Sequence, residues 1–115
     1  MKVNLVKGFV CVLVFFSMSF FAFAGGDIEK GKALFSDPKL AGGTTGKSCN
    51  SCHPGGKGLE KAGAKKEWRM MGKKFSTLEA VINYDIEKAL HGKAIDPKSD
   101  DMANIAAYIK SLGGY

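Results

Sequence analysis

The chain has 115 residues, enough for one small domain, and 17 basic against 11 acidic side chains give it a formal net charge of +6. This moderate basicity, without any recognised nucleic-acid-binding motif, argues against nucleic acid as the ligand. The three cysteines are too few for the disulfide framework that stabilises many small exported domains. A domain of this size buries a limited fraction of its surface, so another contribution to its core is expected.

The first 24 residues have the layout of a secretory signal peptide. Two lysines precede an apolar run from 8 to 23 that ends on Ala22-Phe23-Ala24, the small-residue pattern of a cleavage site. The run is shorter than the roughly 20 residues of a spanning helix. Cleavage after Ala24 is therefore favoured over a retained anchor, and Cys11 is removed with the signal. The sequence predicts a periplasmic or otherwise exported domain, residues 25–115, with no stable membrane span.

Three stretches of this domain have the apolar periodicity of amphipathic helices. The first runs from about Asp27 to Ser36, and its Gly31 leaves room for another helix to cross closely. The second begins at a capping box, Ser76-Thr77-Leu78-Glu79, and is ended by Gly92. The third begins at Ser99 and is stopped by Gly113. The predicted apolar faces comprise Ile28, Gly31, Leu34 and Phe35; Leu78, Val81, Ile82, Ile86, Ala89 and Leu90; and Met102, Ile105, Ile109 and Leu112, with Tyr108 alongside.

A long tract, residues 37–75, separates the first helix from the second. It is rich in glycine and lysine and poor in periodic apolar residues, and it shows no strand pattern. A loop of this length in a compact domain is expected only where it wraps around something. The prediction is an all-α fold in which helices and this tract surround a cofactor.

The cofactor is indicated by Cys49-Asn50-Ser51-Cys52-His53, the C-x-x-C-H pattern of covalent c-type haem attachment. In a helical turn, two thiols separated by two residues can both reach the vinyl groups of one porphyrin, and the adjacent histidine lies under the iron. Neutral imidazole binds iron, and its other nitrogen normally donates to a backbone carbonyl, expected here in the loop 54–58. The sequence thus predicts one covalent haem c on Cys49 and Cys52, with His53 as the proximal ligand.

Two other uses of paired cysteines fit the chain less well. A redox dithiol of the thioredoxin type needs a βαβ setting, and the sequence shows none. A structural zinc site needs four nitrogen or sulfur ligands. After Cys49, Cys52 and His53, only His91 remains in the domain, so haem attachment is the preferred interpretation.

The sixth iron ligand has several candidates. Met71 is the first, because it lies in the tract expected to wrap the haem and a thioether binds iron; Met70 beside it is the third. His91, at the carboxyl end of the second helix, is the alternative to Met71. Met102 is expected to pack in the core, and an empty sixth position is also open. A thioether ligand raises the reduction potential relative to a second imidazole, so the ligand influences which partners are reachable.

The domain resembles class I cytochrome c, since the motif lies between a first helix with Gly31 and a last helix with Tyr108. The resemblance implies helices wrapped around one haem, with the first and last helices crossing at these two residues. The stretch 78–112 is also similar to haem domains of sulfur-oxidising cytochromes and thiosulfate dehydrogenases. This chain has Asp85 where those domains often carry a cysteine that can ligate iron. The matching segments are Ile82-Asn83-Tyr84-Asp85, Gly92-Lys93, Ser99-Asp100-Asp101-Met102 and Ala107-Tyr108-Ile109-Lys110.

The predicted function is one-electron transfer without enzymatic activity, since no general base with a substrate pocket is evident in the sequence. Redox-partner proteins are expected to dock through the lysine-rich tract, defined here as Lys57–Lys74, and a plain solvated loop is the other interpretation of this tract. Surface charge of one sign steers encounter, and weak, salt-sensitive docking suits a carrier. Two alternatives stay open. One is a haem protein with an open distal site that binds a small ligand or takes part in sulfur-compound oxidation, and the other is a haem subunit of a larger complex.

Overall fold

The computed structural model describes residues 25–114. The predicted signal peptide, residues 1–24, therefore lies outside the described residues. Within 25–114, no helix is both long enough and apolar enough to cross a membrane. The helices and strands are α1 (Ile28–Phe35), α2 (Cys49–Cys52), β1 (Trp68–Met70), β2 (Lys73–Phe75), α3 (Leu78–Lys88) and α4 (Asp100–Ser111).

Polar side chains begin the three longer helices, and two of these starts agree with the sequence. The Asp27 carboxylate accepts from the Lys30 amide at 3.0 Å, and the Ser99 hydroxyl accepts from the Met102 amide at 3.2 Å. These contacts satisfy amide groups that have no partner within the helix. The predicted helix starts at Asp27 and Ser99 are confirmed.

The predicted boundaries of α3 are wrong at both ends. The N-cap is Thr77, whose hydroxyl accepts from the Ala80 amide at 3.2 Å, so the proposed capping box starting at Ser76 is displaced by one residue. The helix ends at Lys88 instead of continuing to Gly92. Leu90 is nevertheless buried, because the chain turns back onto the core immediately after the helix.

The first and last helices cross closely at Gly31, as predicted. A Cβ atom added to Gly31 would lie 1.9 Å from the backbone oxygen of Asn104 and 2.9 Å from the Cβ of Tyr108. Beside the crossing, the rings of Phe35 and Tyr108 meet edge to face with centroids 5.1 Å apart, a favourable arrangement of aromatic quadrupoles. The Asp27 amide donates to the Asn104 side chain at 2.7 Å, which fixes the start of α1 against α4.

The apolar faces of α3 and α4 form most of the core, together with Phe35, Leu40 and Trp68. Met102 is fully buried, which confirms its predicted place in the core. Ile28 was expected on the inner face of α1, but 46% of it is exposed, because it lies one turn before the crossing at Gly31. Of the predicted apolar face of α1, the fold buries Gly31 and Phe35, half-buries Leu34 and exposes Ile28.

The expectation of an all-α fold is wrong in one respect, since the tract after α2 contains a short antiparallel hairpin. Trp68 pairs with Phe75, and Met70 pairs with Lys73. The two-residue turn, Met71-Gly72, has φ values of +50° and +76°, the left-handed pair required by a type I′ hairpin turn. The architecture is helix-rich, with this hairpin forming part of the tract that was predicted to be loop.

Candidate haem site

A cavity of about 270 Å³ lies between the segment that carries the cysteine motif, strand β1 and helices α3 and α4. Cys49, Cys52 and His53 all line it. Much of the remaining wall is apolar and includes Leu78, Val81 and Ile82 from α3 and Ile105 and Ile109 from α4. The structure therefore places the three residues of the motif at one apolar cavity.

Helix α2 consists of only four residues, Cys49–Cys52, and its two middle side chains hold the turn together. The Ser51 hydroxyl accepts from the Ser48 amide at 2.9 Å, and the Asn50 side chain accepts from the Gly55 amide at 2.8 Å. These bonds stabilise the chain before and after the helix, which is too short to be stable alone. Neither bond involves a cysteine side chain, and both thiols line the cavity.

The imidazole of His53 is oriented by the loop that follows it. Its Nδ1 lies 3.0 Å from the backbone oxygen of Lys57, within the loop 54–58 where the carbonyl was expected. Because a carbonyl oxygen only accepts, Nδ1 carries the hydrogen and Nε2 keeps a lone pair for a metal. The Gly58 amide donates to the Glu60 carboxylate at 3.0 Å. Backbone amides of Glu60 and Gly58 hold the pKa of that carboxyl below its ordinary value, so it stays an acceptor for the loop.

Cys49 and Asp85 influence each other electrostatically within the cavity. Burial, reinforced by the negative charge of Asp85, raises the pKa of the Cys49 thiol from 9.0 to about 11. Burial also raises the pKa of the Asp85 carboxyl, while the charge of His53 acts in the opposite direction. The sequence distinguished Asp85 only as a departure from related haem domains. The structure places it in the cavity wall.

The candidates for the sixth ligand are separated clearly by the structure. Met70 is half-buried and lines the cavity. Met71 is 87% exposed at the turn of the hairpin, outside the cavity wall. His91 is exposed, has a φ of +53°, and is also absent from the wall, although Leu90 beside it is part of it. The structure therefore brings Met70 to the three residues of the motif, and the ligand roles of Met71 and His91 stay predictions.

The cavity also has polar groups that suit the two carboxylates of a haem. The indole Nε1 of Trp68 is buried and has no hydrogen-bond acceptor among the described residues. An unpaired buried donor costs free energy, and a carboxylate of the cofactor would satisfy it. Lys61 and Lys65 line the same cavity and supply positive charge, and Arg69 also lines it but is paired with Glu67. Two thiols, one imidazole, apolar walls and an unpaired donor together fit haem c.

The fold gives the positive charges of the lysine-rich tract different surroundings. Glu67 forms ion pairs with Arg69 at 2.9 Å and with Lys74 at 3.0 Å. Lys73 lies over the ring of Tyr84, 5.5 Å from its centroid. Lys61 and Lys65 line the cavity, are exposed and form no ion pair within the described chain. These two lysines are therefore exposed, unpaired positive charges at the edge of the cavity.

Residues 30–113 match the family model described as SoxA/TsdA, cytochrome c domain. Searches of curated proteins and of solved structures found no match to the chain. The matched range contains the cysteine motif, the cavity-lining helices and Asp85, and it confirms the resemblance to haem domains of sulfur-oxidising cytochromes. Such a domain implies haem c binding and electron transfer, and domains of this family are typically exported. The chain belongs to the SoxA/TsdA cytochrome c domain family.

Proposed function

We propose that the chain is an exported c-type cytochrome that binds one haem covalently and carries single electrons between redox-partner proteins. The observation that supports this function best is that Cys49, Cys52, His53 and Met70 all line one cavity. Cys49 and Cys52 provide the thioether bonds to the cofactor, and Nε2 of His53 provides the proximal iron ligand. The bound haem supplies the one-electron chemistry, and the protein holds and insulates it. A carrier without enzymatic activity of its own needs no further site.

Met70 is the sixth ligand in this proposal, in place of the first candidate, Met71. Side chains two apart in a strand share one face, whereas neighbours point to opposite faces. Trp68 is buried at the cavity, so Met70 shares its face and Met71 continues into the exposed turn. Met70 and His53 also line the cavity from different elements, strand β1 and the motif segment, so both could bind one iron held in it. A thioether in this position raises the reduction potential and leaves no open coordination site.

Replacing Met70 with alanine is expected to convert the ferric haem from low spin to high spin, because a sixth ligand is lost. Added cyanide should then bind much faster than it binds the unaltered protein, since it no longer has to displace a thioether. Absorption spectra and stopped-flow mixing measure both effects. Met71→Ala is the matched control and His91→Ala the second, and neither should change the spin state. If one of these controls lost the low-spin spectrum while Met70→Ala kept it, the sixth ligand would be the residue replaced in that control.

We also propose that redox partners dock at the opening of the cavity, where Lys61 and Lys65 lie. Reversing both charges should slow electron transfer from a small anionic reductant by about tenfold at low ionic strength, because local charge steers encounter. Reaction with a cationic reductant should become faster. Lys30→Glu with Lys32→Glu, on α1 outside the cavity wall, changes the net charge equally and is the control. Equal effects of the two double variants would show that net charge, and not this opening, governs the rate.

A second candidate function is chemistry on a small ligand at the iron, including oxidation of a sulfur compound. One structural observation favours it, namely the carboxylate of Asp85 in the cavity wall. Members of the SoxA/TsdA family are also associated with enzymes. Such chemistry requires an open or displaceable sixth position. The spin state of the unaltered ferric protein therefore distinguishes this function from that of a carrier.

A further inference from the structure

Asp85 is the only acidic side chain among the described residues that line the cavity. It lies on the inner face of α3, with Ile82 one turn before it and Ala89 one turn after it, and both of these also line the cavity. It is half-buried, and neither of the ion pairs in the described chain involves it. A carboxylate in such a place has lost part of its hydration without gaining a partner charge.

The charged and titratable groups that face Asp85 come from two segments of the chain. Cys49, Cys52 and His53 line the cavity from the motif segment, and electrostatic effects connect Cys49 and His53 with Asp85. Lys61, Lys65 and Arg69 line it from the tract before and within β1. Helix α4 contributes only the apolar Ile105 and Ile109 to the wall. No ion pair joins Asp85 to His53, so the carboxylate responds to the total charge of the cavity.

We propose that Asp85 links electron transfer to proton transfer, which makes it the residue that sets how the reduction potential depends on pH. This inference rests on the proposed haem function. When the site accepts one electron from a donor protein, Asp85 takes one proton from solvent and its carboxylate becomes a carboxylic acid. When the electron leaves for an acceptor protein, Asp85 returns the proton to solvent. Charge in the cavity is thereby conserved in both directions.

The physical reason is the change in charge beside a partly buried carboxylate. Reduction removes one positive charge from the cavity, so Asp85 binds its proton more tightly in the reduced protein than in the oxidised protein. Its pKa, already raised by burial, is therefore higher after reduction than before it. Between those two pKa values, the oxidised form is deprotonated and the reduced form is protonated. In that interval the reduction potential falls as pH rises. Outside it, Asp85 contributes no pH dependence to the potential.

The proposal is tested by measuring the midpoint potential of the haem-loaded protein from about pH 4 to about pH 8. This interval begins near the ordinary pKa of a carboxyl group and extends above it. The unaltered protein should show a falling potential within this range. Asp85→Asn should be nearly flat in that interval, and at neutral pH its equilibrium constant for reduction should be about tenfold higher or more, because a negative charge no longer stabilises the oxidised form. Glu87→Gln removes an exposed carboxylate from the same helix and should retain the unaltered profile. Asp85→Glu retains a titrating group and should retain a falling potential.

Two outcomes would overturn this role of Asp85. If haem-loaded Asp85→Asn keeps the pH dependence of the unaltered protein, another group takes up the proton. If the unaltered ferric protein is high spin and Asp85→Asn changes that spectrum as loss of a ligand would, Asp85 is bound to the iron and is not a free proton acceptor. Covalent haem is measured on every variant by intact mass. Absence of haem from the unaltered protein would instead remove the proposed function, so the two failures are distinguishable.

Discussion

The double variant Cys49→Ala, Cys52→Ala is expected to contain no covalently bound haem. Thioether bonds require a thiol at each position, and residues 25–115 contain no other cysteine. His53 alone can coordinate an iron, but coordination does not survive denaturation, whereas a thioether does. Each single variant keeps one thiol and should retain one thioether. Intact mass under denaturing conditions measures the result directly.

The same double variant should also unfold more readily, because apolar walls that would cover the porphyrin face water instead. Cys49→Ser with Cys52→Ser provides a polar comparison and should behave similarly. Lys47→Ala, which changes an exposed side chain just before the motif, leaves both thiols in place and should load normally. If the double alanine variant still carried the mass of one haem after denaturation, attachment through these cysteines would be wrong.

Gly31→Ala is expected to destabilise the haem-loaded protein by about 3 kcal/mol or more. The added Cβ would meet the backbone oxygen and backbone carbon of Asn104 at 1.9 and 2.6 Å, and backbone atoms cannot move aside as a flexible side chain can. Relief of the overlap requires α1 to separate from α4, which disrupts the bond from Asp27 to Asn104 and the contact between Phe35 and Tyr108. The helix-forming advantage of alanine, about 1 kcal/mol, offsets only part of this cost.

Denaturant unfolding of the haem-loaded protein measures the effect. Gly25→Ala is the matched control, because a Cβ there would have no atom within 4 Å, and its midpoint should be unchanged. If Gly31→Ala unfolded at the same denaturant concentration as the control, the helices would not cross as closely as the structure shows.

The parts of the fold that were predicted correctly depend on short-range chemistry. Helix starts at Asp27 and Ser99 follow from the side-chain oxygens that these residues offer to nearby amides. The crossing at Gly31 follows from the absence of a side chain. The motif at Cys49 to His53 could be found because its spacing alone determines which atoms can meet one porphyrin. Apart from the crossing, whose partner residue Tyr108 was implied by the family resemblance, none of these inferences requires knowledge of distant parts of the chain.

The errors concern features that only the tertiary structure determines. Strands of three residues joined by Met71-Gly72 lack the asparagine or aspartate that normally indicates a type I′ turn. Successive side chains of a strand point to opposite faces, so the register of β1 decides whether Met70 or Met71 faces the cavity. A shift of one residue would turn Met71 toward the cavity and Met70 away from it. The place of Asp85 in the cavity wall and the unpaired Nε1 of Trp68 likewise arise from packing between separate elements. The sequence could identify these residues but could not bring them together.

A reductive titration of the mature haem-loaded protein, with absorption spectra recorded in both redox states, tests the role of an electron carrier most directly. A carrier whose iron is held by His53 and Met70 should show one reversible one-electron transition and low-spin spectra in both states. Carbon monoxide added to the reduced protein should leave its spectrum unchanged. A high-spin ferric spectrum, or rapid binding of carbon monoxide, would contradict this account and indicate a site that binds ligands at the iron.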